Sequence, residues 1–508
     1  MPSMFNNDEW DLPRLRASIG FEDDWQYLSS DELLDTEFFD VKFYPYSDES
    51  SDAVFAALSK KHVVIYRLSN KLNPPYELIQ LFRDDDKEAL NCSLTWSKDP
   101  ENDQPWVCVA GRDSKIKVYN VIEGKLVKTL VGHGGEINDL VTCPTDSLLL
   151  ASASDDTTVR IWSLDPNWDK QPCVCLLGGE GHSANILTVA FHSTGRYVLT
   201  AGEDNVVCLW TLPDLPPPQK GRNPPEPVVI HYPHFFTSEV HSGIVDCVAF
   251  FGDLILSRAC HEDIIVLWRI EGFSSRDPPP ALSEAPTTSD PERLTRSAFA
   301  PATTSASPPQ YTRLLQFYTP NCGHQFYLRF KLYHQQGKHP VLAFGNAHST
   351  IFFWDFARLV GYHGFMKELK DPARDKTKPI HRPGWLVPIQ HRHKGDTVNK
   401  LKDAASDRDS VFSGRTGSVD AETKVDVNTD YGPETLESWE GKYDLTRVEE
   451  PIRAHASRNI TVKDFVGRQV AWSAQGDWCV VVGSKNLAII LQRWANWRKE
   501  NDSEKKVD

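Results

Sequence analysis

The sequence predicts an all-β protein, a seven-bladed β-propeller with long disordered insertions. Three observations predict it. A pattern of short strands and tight turns recurs seven times. Within each copy the apolar residues alternate or run unbroken, as in half-buried and central strands. Proline-rich or weakly apolar segments interrupt the later copies.

The clearest copies are INDLVTCPTDSLLLASASDDTTVRIWSL (137–164), ILTVAFHSTGRYVLTAGEDNVVCLWTL (186–212) and VDCVAFFGDLILSRACHEDIIVLWRI (245–270). Weaker copies cover 39–68, 90–121, 326–356 and 466–494. A lone four-stranded blade cannot bury both faces. Stacked blades can, and the ring closes when one blade takes strands from both chain ends. WQYLSS (25–30) is the expected N-terminal contribution to that blade. The expected organisation is a flexible tail over 1–24, a propeller over 25–497 with insertions at 272–312 and 371–442, and a second tail over 498–508. The outer strand of the sixth unit is expected near 444–454.

Two copies carry the same polar set at the same spacing. His133, Ser152, Asp156 and Trp162 form one, and His182, Thr200, Asp204 and Trp210 the other. Each group satisfies the next, from indole N–H through hydroxyl and imidazole to carboxylate, so burial is tolerable. His, Ser and Asp also compose hydrolase triads, but recurrence beside a Trp favours a structural role. These residues resemble the WD-repeat family. The pattern weakens elsewhere: Tyr119 replaces the Trp, Glu262 replaces the Asp before Trp268, and His348 stands there before Trp354. Those blades are expected to lean on apolar packing.

Composition narrows function. A net charge of −15 argues against sequence-independent nucleic-acid binding over the whole surface and suits a basic partner. The ten cysteines show no metal spacing and read as reduced, mostly buried thiols. No signal peptide or membrane span is expected. No set of carboxylates or histidines converges as an enzyme would need, so neither metal, cofactor nor turnover is expected. The basic stretch 381–402 suits a solvated linker, the commoner case, or a loop touching a partner or nucleosome; direct nucleic-acid contact stays open.

GHGGEINDL (132–140), LLGGEGHSANILTVAF (176–191), VDCVAFFGDLILSRAC (245–260), FYLRF (326–330) and LAFGN (342–346) resemble the Eed/Extra-sex-combs family, the WD-repeat subunit of Polycomb repressive complex 2. The likeness runs from about residue 37 to 495 outside the insertions, whose length points to a divergent, fungal member. The resemblance implies a nuclear, non-catalytic scaffold. It would bind a Zeste-type histone methyltransferase and the other subunits of that complex, read trimethyl-lysine on the histone H3 tail, and stimulate the methyltransferase.

By the same resemblance, Phe43, Phe326 and Tyr327 match positions of an aromatic cage. Cys92 stands at the fourth position, where the family places a Tyr. A trimethylammonium group keeps its charge and has no proton to donate, so aromatic faces suit it. Tyr44 or Tyr318 are candidates for a missing ring. Asp246 is a candidate for pairing with a basic peptide residue, and Arg329 for the peptide rim or a surface salt bridge. Phe326 and Tyr327 are neighbours, so in a strand only one can face the core. A different scaffold role, as substrate receptor of a cullin-type ubiquitin ligase, rests on Trp354-Asp355 followed by Arg358, a loose likeness to the receptor box.

Overall fold

The computed structural model describes residues 11–20, 37–86, 88–215, 224–287, 294–300, 309–335, 337–375, 380–388, 424–426 and 431–493. Seven sheets of four or five antiparallel strands stand around one axis, joined by one parallel addition. The strands nearest the axis are Phe38–Phe43, Asn91–Lys98, Ile137–Cys143, Ile186–Phe191, Val245–Phe251, Lys331–Tyr333 and Gly467–Trp472. The second strand of each blade is largely buried on both faces, because a neighbouring blade covers each side; Tyr197–Gly202 and Trp478–Gly483 are buried throughout.

The ring is closed by Arg14–Gly20, which pairs antiparallel with Leu487–Gln492 from Arg14↔Gln492 to Gly20↔Leu487. This corrects the expectation of a tail over 1–24 with a closing strand at 25–30, residues that lie outside those described. The strand is outermost in its blade, so it buries little besides Ile19 and tolerates Arg14 and Arg16. Its charges made it read as tail.

The polar tetrads fix blades three to five. His133 lies 2.8 Å from Asp156 and 2.6 Å from Ser152 Oγ, which accepts from Trp162 Nε1 at 2.8 Å. In blade four His182 lies 2.7 Å from Thr200 Oγ1, which accepts from Trp210 at 2.9 Å, and 3.1 Å from Asp204. Blade five, expected to rely on apolar packing, holds a complete set. His241 meets Glu262 at 2.5 Å and Ser257 at 2.6 Å, and Trp268 donates to Ser257 at 2.9 Å. The longer Glu reaches the same imidazole. In blade six Trp354 Nε1 donates instead to the Ile452 carbonyl at 3.0 Å.

The insertions are partly ordered. Within 272–312, Thr295–Ser297 adds a fifth strand to blade four by pairing with Phe235–Thr237. Phe299 packs on Phe273, with ring centroids 5.1 Å apart. Backbone pairing at a sheet edge places so short a strand, and hydrophobic pattern does not reveal it. Beside 371–442, the helix Phe356–Lys370 buries Leu359, Tyr362, Phe365 and Met366 against Trp439 of the helix Pro433–Trp439. The outer strand of blade six is Ala456–Asn459 rather than 444–454. Of the basic stretch, 389–402 lies outside the described residues, as does the tail 498–508.

The receptor-box reading meets a local explanation. Trp354 is fully buried. Asp355 accepts from the Ala357 and Arg358 amides as the helix N-cap. Arg358 pairs with Asp355 at 3.5 Å and Asp11 at 3.4 Å. All three groups are engaged within the fold. No helix among the described residues is long and apolar enough to cross a membrane.

Candidate functional site

The innermost strands share an irregularity. Near the start of six of them the antiparallel register slips by one residue, leaving Phe39, Cys92, Asn138, Leu187, Asp246 and Arg468 unpaired. A bulge of this kind re-aims a side chain. All six stand at one mouth of the central channel. In blade six the same place is taken by the segment 326–330 leading into the short strand Lys331–Tyr333.

The bulges align the blades with one another. Cys92 lies four residues before Trp96, as Phe39 lies four before Phe43. Phe43 is therefore the counterpart of Trp96, and Phe39 the counterpart of Cys92. Phe43 sits roughly 13 Å down the strand at about 3.3 Å per residue, buried against Phe55 with centroids 5.6 Å apart. This corrects the assignment of Phe43 to the cage: the ring of FFDVKF at the mouth is Phe39, which is half-buried. Residues four apart have the same strand parity, so alternation alone cannot choose between them. The bulge is the deciding signal.

Phe326 and Tyr327 meet at that mouth, with centroids 5.2 Å apart and planes at 45°. Phe326 is 44% exposed, large for an aromatic ring beside a packed core. Tyr327 adopts a left-handed backbone, φ +58°, uncommon for a bulky residue. Its hydroxyl donates to Asn138 Oδ1 at 2.8 Å. Burial, then the nearby Cys92, pushes this phenol well above its ordinary range. Cys92 is the half-buried member of ten free cysteines, and the other nine are buried. Burial, then the nearby Glu136, pushes its thiol up to about 12, so it stays neutral. Arg468 of blade seven links the site to blade one, pairing with Glu37 at 2.6 Å and donating to the Phe326 carbonyl at 2.9 Å. Phe326 and Tyr327 thus share one end of the channel with the bulges that carry Phe39 and Cys92.

The supporting candidates have other roles. Arg329 is neither a rim nor a surface residue. Its buried guanidinium pairs with Asp139 at 2.8 Å and donates to the Leu187 carbonyl at 2.7 Å, 5.6 Å from the Tyr327 ring centre. It lies against the face of the Tyr327 ring. Asp246 is fully buried and paired with Arg258 at 2.6 Å, so it cannot meet a peptide. Tyr44 packs on Trp96 at 5.1 Å, at the far end from the bulges. Tyr318 ends the outermost strand of blade five, paired with Ile264. That is three strands out from the axis, roughly 14 Å at about 4.8 Å per strand. Among the described residues, no three or more His, Cys, Asp or Glu side chains gather as a metal site.

The WD domain, G-beta repeat family model matches residues 124–163 and 173–211. Polycomb protein EED of Chaetomium thermophilum is 48% identical, over 96% of this chain and 97% of its own length. The chain belongs to the Polycomb EED family. Polycomb protein esc of Drosophila melanogaster is 30% identical over 46% of the chain and 56% of its own length. Among solved structures, a chain of the Chaetomium thermophilum polycomb repressive complex 2 (PRC2) is similar at TM-score 0.80 and 51% identity, covering 96% of this chain and 98% of that one. A chain of ctPRC2 in complex with H3K27me3 and H3K27M gives TM-score 0.81 and 50% identity, covering 96% and 99%. The expected EED-family, fungal affinity and the seven-bladed propeller are borne out. Sequence reasoning about this EED-family chain missed Phe39, Asn138 and Arg468, which only the bulge register brings to the mouth.

Proposed function

We propose that this chain is the non-catalytic scaffold of a Polycomb-type histone methyltransferase complex. In that complex it reads trimethyl-lysine of the histone H3 tail and stimulates the methyltransferase subunit. The observation that carries the reading is the exposed Phe326 ring beside the hydrogen-bonded Tyr327 at the end of the channel where the bulges at Phe39 and Cys92 stand. A trimethylammonium ion is bulky, charged and without a proton to give. Ring faces attract it through their quadrupoles, by about 0.5–2 kcal/mol each. The thiol of Cys92 supplies a small neutral wall that packs against methyl groups. The net charge of −15 draws a basic tail toward the protein.

The relatives support the partners: a similar chain belongs to the Chaetomium thermophilum PRC2, and one such assembly was solved with H3K27me3 and H3K27M. This chain takes the same place in a nuclear complex acting on chromatin. Stimulation is a coupling between the peptide-bound mouth and the surface held by the methyltransferase. The test is the methylation rate of the reconstituted complex with and without trimethyl-lysine H3 peptide. A rate raised by the trimethylated peptide and not by the unmodified one supports the reading; equal rates contradict stimulation.

A further inference from the structure

The segment that carries Phe326 and Tyr327 is gripped by blade five from one side. Thr319 N donates to the Asp263 carbonyl at 2.8 Å, and His324 meets His261 with their Nδ1 atoms 2.7 Å apart. Deeper in, Arg258 Nη2 donates to the Gln325 carbonyl at 3.4 Å, and Leu328 N donates to Asp246 Oδ2 at 3.4 Å. These contacts bracket the two rings: one lies just before Phe326 and the other just after Tyr327. They come from a single ion pair, Arg258 Nη1 to Asp246 Oδ2 at 2.6 Å, with side chains 1% and 0% exposed. The guanidinium also lies over the Phe344 ring, 5.4 Å from its centre.

As a source of stability the pair is poorly built. Asp246 Oδ1 and Arg258 Nε, both buried, have no hydrogen-bond partner among the described residues. A buried pair left incompletely satisfied is commonly no better than apolar side chains of similar volume. Its geometry serves the loop instead.

We propose that Asp246 and Arg258 are positioning residues of the reader site. Together they fix the backbone on both sides of Phe326 and Tyr327, so that Tyr327 keeps its left-handed conformation and both rings face the mouth. This rests on the reader function proposed above. The pair touches no ligand and acts through the loop.

The test uses the full chain carrying Asp246→Leu together with Arg258→Met, which replaces both charges with apolar groups. The readout is the ratio of dissociation constants for unmodified and trimethyl-lysine H3 peptides, beside the melting temperature. The expected result is a retained melting temperature and a ratio reduced about tenfold, with Arg258→Lys falling between. Lysine keeps the pairing charge and has no second arm for the Gln325 carbonyl. A folded double variant with the wild-type ratio would overturn the proposal. So would an unfolded double variant alongside a wild-type ratio in Arg258→Lys. If the wild-type chain shows no preference for the trimethylated peptide, the reader function itself fails and this role falls with it.

Discussion

The Tyr327 hydroxyl donates a 2.8 Å hydrogen bond to Oδ1 of Asn138, tying the segment before blade six to the bulge of blade three. Asn138 is itself held by Asp155 at 2.7 Å and by the Ile186 carbonyl at 3.0 Å. The Tyr327 ring is thus anchored across the channel mouth by residues distant in sequence. Its neighbour Phe326 is held through its backbone by Arg468 of blade seven. Rings fixed before the ligand arrives lose little freedom on binding, and this preorganisation gives a small cage its selectivity.

Phe39 and Phe43 should separate binding from stability. Phe39→Ala removes a half-buried ring at the mouth, so trimethyl-lysine peptide should bind roughly tenfold more weakly, about 1–2 kcal/mol for a lost cation–π face. Phe43→Ala empties core space against Phe55 and should cost about 3–5 kcal/mol of stability. Peptide calorimetry and denaturant melts on both variants check this. The reverse pattern would return Phe43 to the site.

Cys92→Tyr should tighten trimethyl-lysine binding severalfold by adding a fourth ring face at the bulge of blade two, again about 1 kcal/mol. Titration of the same peptide against both proteins measures it. Weaker binding would mean that Cys92 leaves no room for a ring beside Tyr327.

Replacing 294–300 with a Gly-Ser linker should destabilise blade four, because Thr295–Ser297 pairs with Phe235–Thr237 and Phe299 covers Phe273. A cost of about 2–4 kcal/mol is expected from the lost ring and edge pairing. Circular-dichroism melts report it, and an unchanged transition would return this segment to the status of a free loop.

Glu262 gives the fold an acid sensitivity. Burial opposes its charge, but the hydrogen bond with His241 prevails and holds the carboxyl down at about 2, below an unfolded value of 4.5. A depressed folded pKa contributes stability above the unfolded pKa that disappears as pH falls through the folded one. Here the contribution is present above about pH 4.5 and fades between about pH 4.5 and 2. Glu262→Gln should therefore melt below the wild type at pH 7 and approach it near pH 2. A gap that stays constant with pH would contradict a lowered Glu262 carboxyl.

Much of the fold was legible because its signals are local. The tetrads of His133 and His182 recur at fixed spacing, and buried strands such as Tyr197–Gly202 are apolar throughout. The closing strand was not, since Arg14–Gly20 is outermost and buries only Ile19 fully, and pairing rather than pattern places it. At the site, Phe326, Tyr327 and Cys92 could be read from the sequence. Phe39 could not be told from Phe43, because a one-residue bulge is invisible in an alternating string. Arg329 and Asp246 were misplaced for a related reason: each is a charge whose partner, Asp139 or Arg258, is brought in by the fold.

The most direct test of the reader site is calorimetry of the full chain with trimethyl-lysine and unmodified H3 peptides, repeated with Phe326→Ala. Phe326 is 44% exposed, so its loss should change stability by no more than about 0.5 kcal/mol. The wild type should bind the trimethylated peptide more tightly, and the variant should largely lose that preference at an unchanged melting temperature. Equal binding of the two peptides by the wild type would contradict it.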